Sequence, residues 1–298
     1  MLVAQYISDL DPYNSPLTAH QETVSRNRVE TSGFNNIFNS ANKEVHTWYA
    51  SQFKTYFNFG GLYRKDDYNA DINVAYERAQ EYWNSNKVTV NYEGYYDMLQ
   101  TKDFGARAQG WMAYLNGMFG YGWGAQGTWQ YNGSYGDNWT GDHVTDGVDD
   151  IYITERIEEN DWQKALKRNS AEQMGYMRKF FTTTVGDWQN LRPRFGNTNF
   201  LERADGAYAF LASNSDNSKV VVYFCNFTDT NIAEFANSTN GTATGKLRAL
   251  KTNTTYNYIW FNPITGAVEK TGTFYSGNYG TWTIGAKANS DMVLYVYI

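Results

Sequence analysis

Two hydrophobic periodicities divide the chain near Asp187. Before it, stretches of helical spacing alternate with short apolar runs. In Ala70–Asn84 the residues Ile72, Ala75, Tyr76, Ala79 and Trp83 recur at three- and four-residue steps with charged positions between them, which predicts an amphipathic helix. Lys87–Tyr92 alternates as a strand does. Asp103–Gly117 predicts a second helix, capped by Asp103 and ended by Gly117. Met118–Gly124 is too rich in glycine for a helix and suits a strand that leads into a loop. Ser170–Thr183 predicts a third helix, and its first residues, Ser170-Ala171-Glu172-Gln173, resemble a capping box.

After Asp187 the period becomes two. Residues 206–213, 220–226, 245–249, 256–261, 272–275, 280–284 and 292–298 are short runs of strand type, and 214–217, Asn262-Pro263 and Thr265-Gly266 are turn sequences between them. Strands at this spacing predict an antiparallel β-sandwich. The stretch 231–244 is polar and reads as a loop. The alternation of strand and helix in residues 1–186 predicts an α/β domain, and residues 187–298 predict an all-β one. A complete (β/α)8 barrel needs about 250 residues, so the first region has room for only part of one.

Composition narrows the function classes. Lys and Arg number 25 and Asp and Glu 31, for a net charge of −6, and no basic cluster gives the footprint of a nucleic-acid binder. No apolar run reaches the ~18 residues of a membrane span. The single cysteine, Cys225, excludes an internal disulfide and a cysteine-rich metal site, and reads as a buried thiol. The apolar run after Met1 is short and has no basic start, so it does not read as a signal peptide. Either the protein is cytoplasmic or its natural N-terminus lies upstream. Aromatic residues make up 17%, with 10 Trp and 25 Tyr, beside many Asn and Gly. Flat rings suit the C–H faces of sugars and side-chain amides suit their hydroxyls; the plainer reading is that aromatics favour strands.

The candidate chemistry sits in the first region. The run 87–97 ends its strand at Asn91-Tyr92-Glu93 and breaks at Gly94. A carboxylate at the C-terminal end of a barrel strand stands where such barrels place their chemistry. Glu93 is therefore either a catalytic carboxylate, with Asn91, Tyr95 and Tyr96 around it, or an exposed glutamate in a turn. In 117–129, glycines alternate with Tyr121, Trp123 and Trp129, which form either a sugar-facing platform or an aromatic wedge between the two domains. The three histidines are His20, His46 and His143; His20, at the end of a short apolar run, is a candidate for substrate hydroxyls. Metal-ligand spacings, a Gly-x-Ser-x-Gly elbow, a phosphate loop and a dinucleotide fingerprint are all missing from the sequence, so neither metal nor cofactor is expected. The acidic run 135–150 does not match an EF-hand and reads as a solvated loop.

The order of these motifs carries a resemblance. Asp11-Pro12, Thr18-Ala19-His20, Trp48 with Gln52, Asn91-Tyr92-Glu93-Gly94-Tyr95-Tyr96, Arg107 with Trp111, Gly120-Tyr121-Gly122 and Gly127-Thr128-Trp129 follow one another as in the apiosidase-like glycoside hydrolases, glycoside hydrolase family 140 and its relatives. Leu191-Arg192-Pro193, Trp260-Phe261-Asn262-Pro263 and Asp291-Met292-Val293-Leu294 resemble the β-sandwich that follows the barrel in that family. The resemblance implies the C-terminal half of a TIM-type barrel followed by a sandwich, and a glycoside hydrolase of two carboxylates acting on plant or other complex polysaccharide. It makes Glu93 the nucleophile, Arg107 and Tyr95 its support, and His20, Trp48, Gln52, Asn91, Tyr95, Tyr121, Trp123 and Trp129 the substrate-binding residues. It also implies a secreted or periplasmic protein.

One departure accompanies it. The family's acid/base precedes a segment like Asp11-Pro12, and in this sequence almost nothing precedes that segment; Glu22 is the nearest internal nominee. The expectation is therefore either an enzyme truncated in this sequence or a half-barrel completed by a second copy, since open sheet edges associate. The alternative is a non-catalytic carbohydrate-binding protein derived from such an enzyme.

Overall fold

The computed structural model describes residues 54–56, 80, 83–84, 89–91, 96–97, 103–125, 166–195, 199–202, 209–225, 242–288 and 291–298. In the first region β1 (Lys54–Tyr56), β2 (Thr89–Asn91) and β4 (Gly120–Tyr121) form a parallel sheet in the order β1-β2-β4. A second parallel pair joins β3 (Tyr96–Asp97) to β5 (Gly124–Ala125). Parallel neighbours need a crossover between them, and α1 (Asp103–Leu115) lies between β2 and β4 in the chain. Gly117 ends the turn after α1 at φ +82°, a left-handed backbone that costs glycine nothing.

From 105 to 113 every residue of α1 is buried. A helix buried all round is covered on all sides, and the cover here comes in part from α2 (Asn169–Lys179) and from the C-terminal sheets. Gly110 lets α2 approach: a Cβ there would meet the Met174 and Met177 sulfurs at 3.1–3.2 Å. A π-helix, Phe180–Val185, continues α2 and turns Phe180 and Phe181 into the same core. The sequence predicts one helix over 170–183; the structure begins it at Asn169 and widens its last turns. No side chain caps its start, so Ser170 and Gln173 do not form the predicted capping box. Both are buried and hydrogen-bonded elsewhere, to Trp123 and Arg107, because tertiary partners win over a local cap.

Among the described residues the second region forms two antiparallel sheets. The larger has the order β12-β11-β14-β9-β8-β6, from Val268–Tyr275 (β12), Thr255–Phe261 (β11), Met292–Tyr297 (β14), Lys219–Phe224 (β9), Ala209–Ser213 (β8) and Arg192–Pro193 (β6). The smaller has the order β13-β10-β7, from Trp282–Ala288 (β13), Thr242–Leu247 (β10) and Leu201–Glu202 (β7). Each of the seven predicted strand runs overlaps one of β8 to β14, and several run one to three residues past it. Two short strands, β6 and β7, escape the pattern because two residues show no period. The predicted loop 231–244 yields its last three residues to β10; residues 231–241 lie outside the described set.

The central strands are buried on both faces. In β9, Val221 and Tyr223 join the core under the helices, and Val220, Val222 and Phe224 join the core under the smaller sheet. In β14, Val293 and Tyr295 go one way and Met292, Leu294 and Val296 the other. This explains the unbroken apolar runs: period two persists, but neither face meets water. The described residues therefore form three layers on this side of the fold: helices of the first region, the six-stranded sheet, and the three-stranded sheet. Cys225 is a buried thiol in the helix-side core, as the sequence predicts. Among the described residues no helix is long and apolar enough to cross a membrane.

Candidate active site

Asn91 is the last residue of β2 and pairs with Tyr56 of β1 and Tyr121 of β4. Three parallel strands thus end side by side at Tyr56, Asn91 and Tyr121. Further on, the chain after β2 and the chain after β4 pair again as β3 and β5, with Tyr96 opposite Gly124. Between Asn91 and Tyr96 the register advances five residues, and between Tyr121 and Gly124 only three. Glu93 falls in the longer segment. Glu93, Tyr95, His20, Trp48, Gln52 and Trp129 lie outside the described residues, as do His46, His143, Glu22 and the acidic run 135–150.

Tyr121 and Trp123 stand half-buried on the strand ends. Trp123 donates its indole N–H to Ser170 Oγ at 2.9 Å, and Ser170 is fully buried in the first turn of α2. Tyr121 donates to Gln109 Oε1 at 3.4 Å and packs beside Ala113, Met118 and Phe195. Each ring is anchored inward by its polar tip. What remains for a ligand is the apolar ring surface, not the N–H of Trp123.

Arg107 is 3% exposed on α1. Its Nε donates to Asp291 Oδ2 at 2.7 Å and its Nη2 to Asp291 Oδ1 at 3.0 Å, the paired geometry a guanidinium makes with a carboxylate. Nη1 donates to Gln173 Oε1 at 2.6 Å. Tyr223 of β9 adds a fourth bond, its hydroxyl donating to Asp291 Oδ2 at 2.8 Å. Burial, and next the Asp291 charge, push the Tyr223 phenol well above its ordinary pKa, so it remains a donor. These bonds make Arg107 a clamp between α1, α2 and the six-stranded sheet.

Asp291, Gln173, Tyr223, Ser170 and Gln109 are thus the buried polar residues that hold this region together. The sequence offers little signal for them. Gln173 and Ser170 are masked by their resemblance to a cap, and Asp291 stands 184 residues from its partner. Among the described residues no cluster of His, Cys, Asp or Glu could hold a metal ion.

Residues 2–186 match the family model described as "Apiosidase-like, catalytic domain". Among solved structures, the chain is similar to a glycoside hydrolase family 5 protein from Bacteroides vulgatus, at 16% identity and a TM-score of 0.55, over 83% of this chain and 50% of that one. A glucosidase from Croceicoccus marinus matches at 9% identity and a TM-score of 0.36, over 83% of this chain and 54% of that one. The chain thus spans about half the length of the solved proteins it matches. Comparison with curated proteins gives no match. The first likeness supports an α/β region joined to a β-rich one. With the model matched over more than half of its length, the chain belongs to the apiosidase-like glycoside hydrolase family.

Proposed function

We infer that the chain is a glycoside hydrolase acting on complex polysaccharide, with Glu93 as the nucleophilic carboxylate. The carrying observation is the side-by-side ending of β1, β2 and β4 at Tyr56, Asn91 and Tyr121, with Glu93 two residues further on. In this reading residues 1–186 supply the C-terminal half of a (β/α)8 barrel and 187–298 a β-sandwich. Asn91, Tyr95, His20, Trp48 and Gln52 bind sugar hydroxyls. Tyr121, Trp123 and Trp129 offer ring surface to the sugar.

Glu93 attacks the anomeric carbon as the glycosidic C–O bond breaks, and a second carboxylic acid gives its proton to the leaving oxygen. Water then frees the sugar from Glu93, and the second group takes back a proton. Retention of configuration places the two carboxyl groups about 5–5.5 Å apart. Arg107, held by Asp291, keeps α1 fixed behind the strand ends and supports the ionised form of Glu93. The second carboxylate comes from strands that complete the barrel. A longer chain would bring its own; a chain of this length would pair with a second copy, which light scattering of the purified protein distinguishes.

The test is Glu93→Gln on an aryl glycoside, read beside mass spectrometry with a fluorinated glycoside that stays on its nucleophile. Loss of turnover, and a label on the peptide that contains Glu93, are expected; undiminished turnover overturns the assignment. The other reading, a carbohydrate-binding protein without catalysis, uses the same aromatic residues. Sugar binding by Glu93→Ala, with no turnover of any glycoside by the unaltered protein, favours it.

A further inference from the structure

The helices cover only part of the six-stranded sheet. Phe261 of β11 lies under Trp111 and Phe180, with ring centroids 6.1 and 4.8 Å away. Tyr295, one row further along, still meets Phe180 at 6.1 Å. Beyond that row the same face opens to solvent. The register places its residues: Tyr275 pairs with Thr255, Thr273 with Asn257, and Thr271 with Ile259, while Asn257 pairs on its other side with Tyr297. Paired residues share a face, and so do residues two apart. Thr255, Thr271, Thr273 and Tyr275 are exposed, and Asn257 and Tyr297 half-buried. The face measures about 14 Å along β12 and about 10 Å across three strands, room for a short run of sugar units.

Its chemistry is uniform. Five hydroxyls and one side-chain amide stand with two phenol rings, and none of the six residues is charged. Tyr275 is 61% exposed, a large aromatic surface left in water. Its hydroxyl donates to Asn253 Oδ1 at 3.0 Å, which fixes the ring in position. The edge strand is also held from beneath. Phe274, on the opposite face, stacks on Trp282 at 4.0 Å and 7°, and on Tyr256 at 5.5 Å and 7°. Trp282 in turn meets Tyr258 at 5.1 Å. Gly272 makes room for this stack, since a Cβ there would lie 2.6 Å from the Tyr258 hydroxyl. A rigid face loses little freedom on binding.

We propose that this open end of the sheet, formed by Tyr275, Thr273, Thr271, Asn257, Thr255 and Tyr297, is a second carbohydrate-binding site that takes a neutral polysaccharide chain. The choice of a sugar ligand rests on the hydrolase reading above. Hydroxyls and an amide match sugar hydroxyls in both directions of donation, and the Tyr275 ring matches their C–H faces. A neutral ligand follows from these six uncharged residues, from Lys219, which pairs with Tyr297 on the same face but is neutralised by Asp187, and from the net charge of −6, which repels polyanions. None of its six residues is a carboxylate, so the site anchors substrate rather than cleaves it.

The test is electrophoresis of the intact chain through native gels containing xyloglucan, arabinan, galactan or polygalacturonate. Retardation by at least one of the three neutral polymers, and none by polygalacturonate, is expected. Tyr275→Ala and Thr273→Glu, both at exposed positions, should each weaken that retardation at least tenfold in apparent affinity while turnover of a small aryl glycoside is unchanged. Glu93→Gln should be retarded as the unaltered protein is. Absence of retardation by every neutral polymer, equal retardation by polygalacturonate, or unaltered retardation of both Tyr275→Ala and Thr273→Glu overturns the proposal. If no form hydrolyses any glycoside but retardation still depends on Tyr275, the hydrolase reading fails and this site stands.

Discussion

Asp291 takes two hydrogen bonds from Arg107 across 184 residues of sequence, tying the head of the last strand to a helix of the first region. Both groups are nearly out of water, with side chains 2% and 4% exposed. Such a pair contributes little over a matched apolar pair, but leaving one charge behind is costly. Asp291→Ala leaves Arg107 buried and should lower stability by about 3–5 kcal/mol. The double variant Arg107→Met, Asp291→Leu should recover part of that loss, the rest being held back by the Tyr223 hydroxyl and the Gln173 amide that lose these partners. Urea unfolding of the three proteins decides it; a double variant no more stable than Asp291→Ala would mean that the pair holds geometry which apolar packing cannot replace.

Tyr223 makes the same network sensitive to alkali. Its folded pKa lies well above the ordinary value, first through burial and then through the Asp291 charge. The native state therefore keeps a proton that the unfolded chain releases. The stabilisation is complete below about pH 10, the unfolded value, and falls above it by up to about 1.4 kcal/mol per pH unit. Tyr223→Phe should cost about 1.5–3 kcal/mol at neutral pH, as a hydrogen bond to a charged group is lost. It should also flatten the fall in urea midpoint between neutral and strongly alkaline solution. An equal slope in both proteins would show that other groups carry the alkaline loss.

Two glycines in one turn separate backbone strain from collision. Gly277 and Gly280 have φ of +63° and +58°. Around Gly277 nothing lies within 4 Å of an added Cβ, whereas at Gly280 that atom would run into the Leu250 carbonyl oxygen. Gly277→Ala should cost about 1–2 kcal/mol, the strain of a left-handed residue. Gly280→Ala should cost about 1–3 kcal/mol more, as overpacking does, and should break the bond from Leu250 N–H to the Gly280 carbonyl, 3.0 Å long. Thermal melts of the pair measure the difference directly; equal melting temperatures would show that the Leu250 backbone yields without cost.

Strands β8 to β14 were readable as short alternating or apolar runs between turn residues, and the runs in β9 and β14 are apolar because both faces are covered. Helix α1 was readable from its spacing and from Gly117. The layering was not. Nothing local in Phe210, Tyr223, Phe261 or Tyr295 tells that their cover is α1 and the π-helix rather than water or another sheet. Of the candidate site, Asn91 was nominated from the strand-end pattern and Tyr121 and Trp123 from the alternation of glycine with aromatic residues, and the parallel ladder puts Asn91 and Tyr121 side by side. The partners that hold the region, Ser170, Gln173 and Asp291, were not legible in those roles, since a buried polar residue is defined by what folds over it.

This layering makes a last prediction about cutting the chain. The helix-side core contains Phe210, Val221, Tyr223, Phe261, Val293 and Tyr295 from the sheet, and Trp111, Met112, Phe180 and Phe181 from the helices. Trp111 alone contacts Phe180, Phe181, Tyr223 and Phe261 at 5.2–6.1 Å. Separating the chain after Gly186 exposes all of these at once. Each large side chain contributes about 1.5–3 kcal/mol when buried, and a whole domain is stable by only about 5–15 kcal/mol. Residues 187–298 alone should therefore be insoluble, or should bind a hydrophobic dye and unfold without a cooperative transition. Expression together with residues 1–186 should restore a soluble complex. A soluble, monomeric 187–298 fragment with a sharp unfolding transition would show that the second region does not depend on its helical cover.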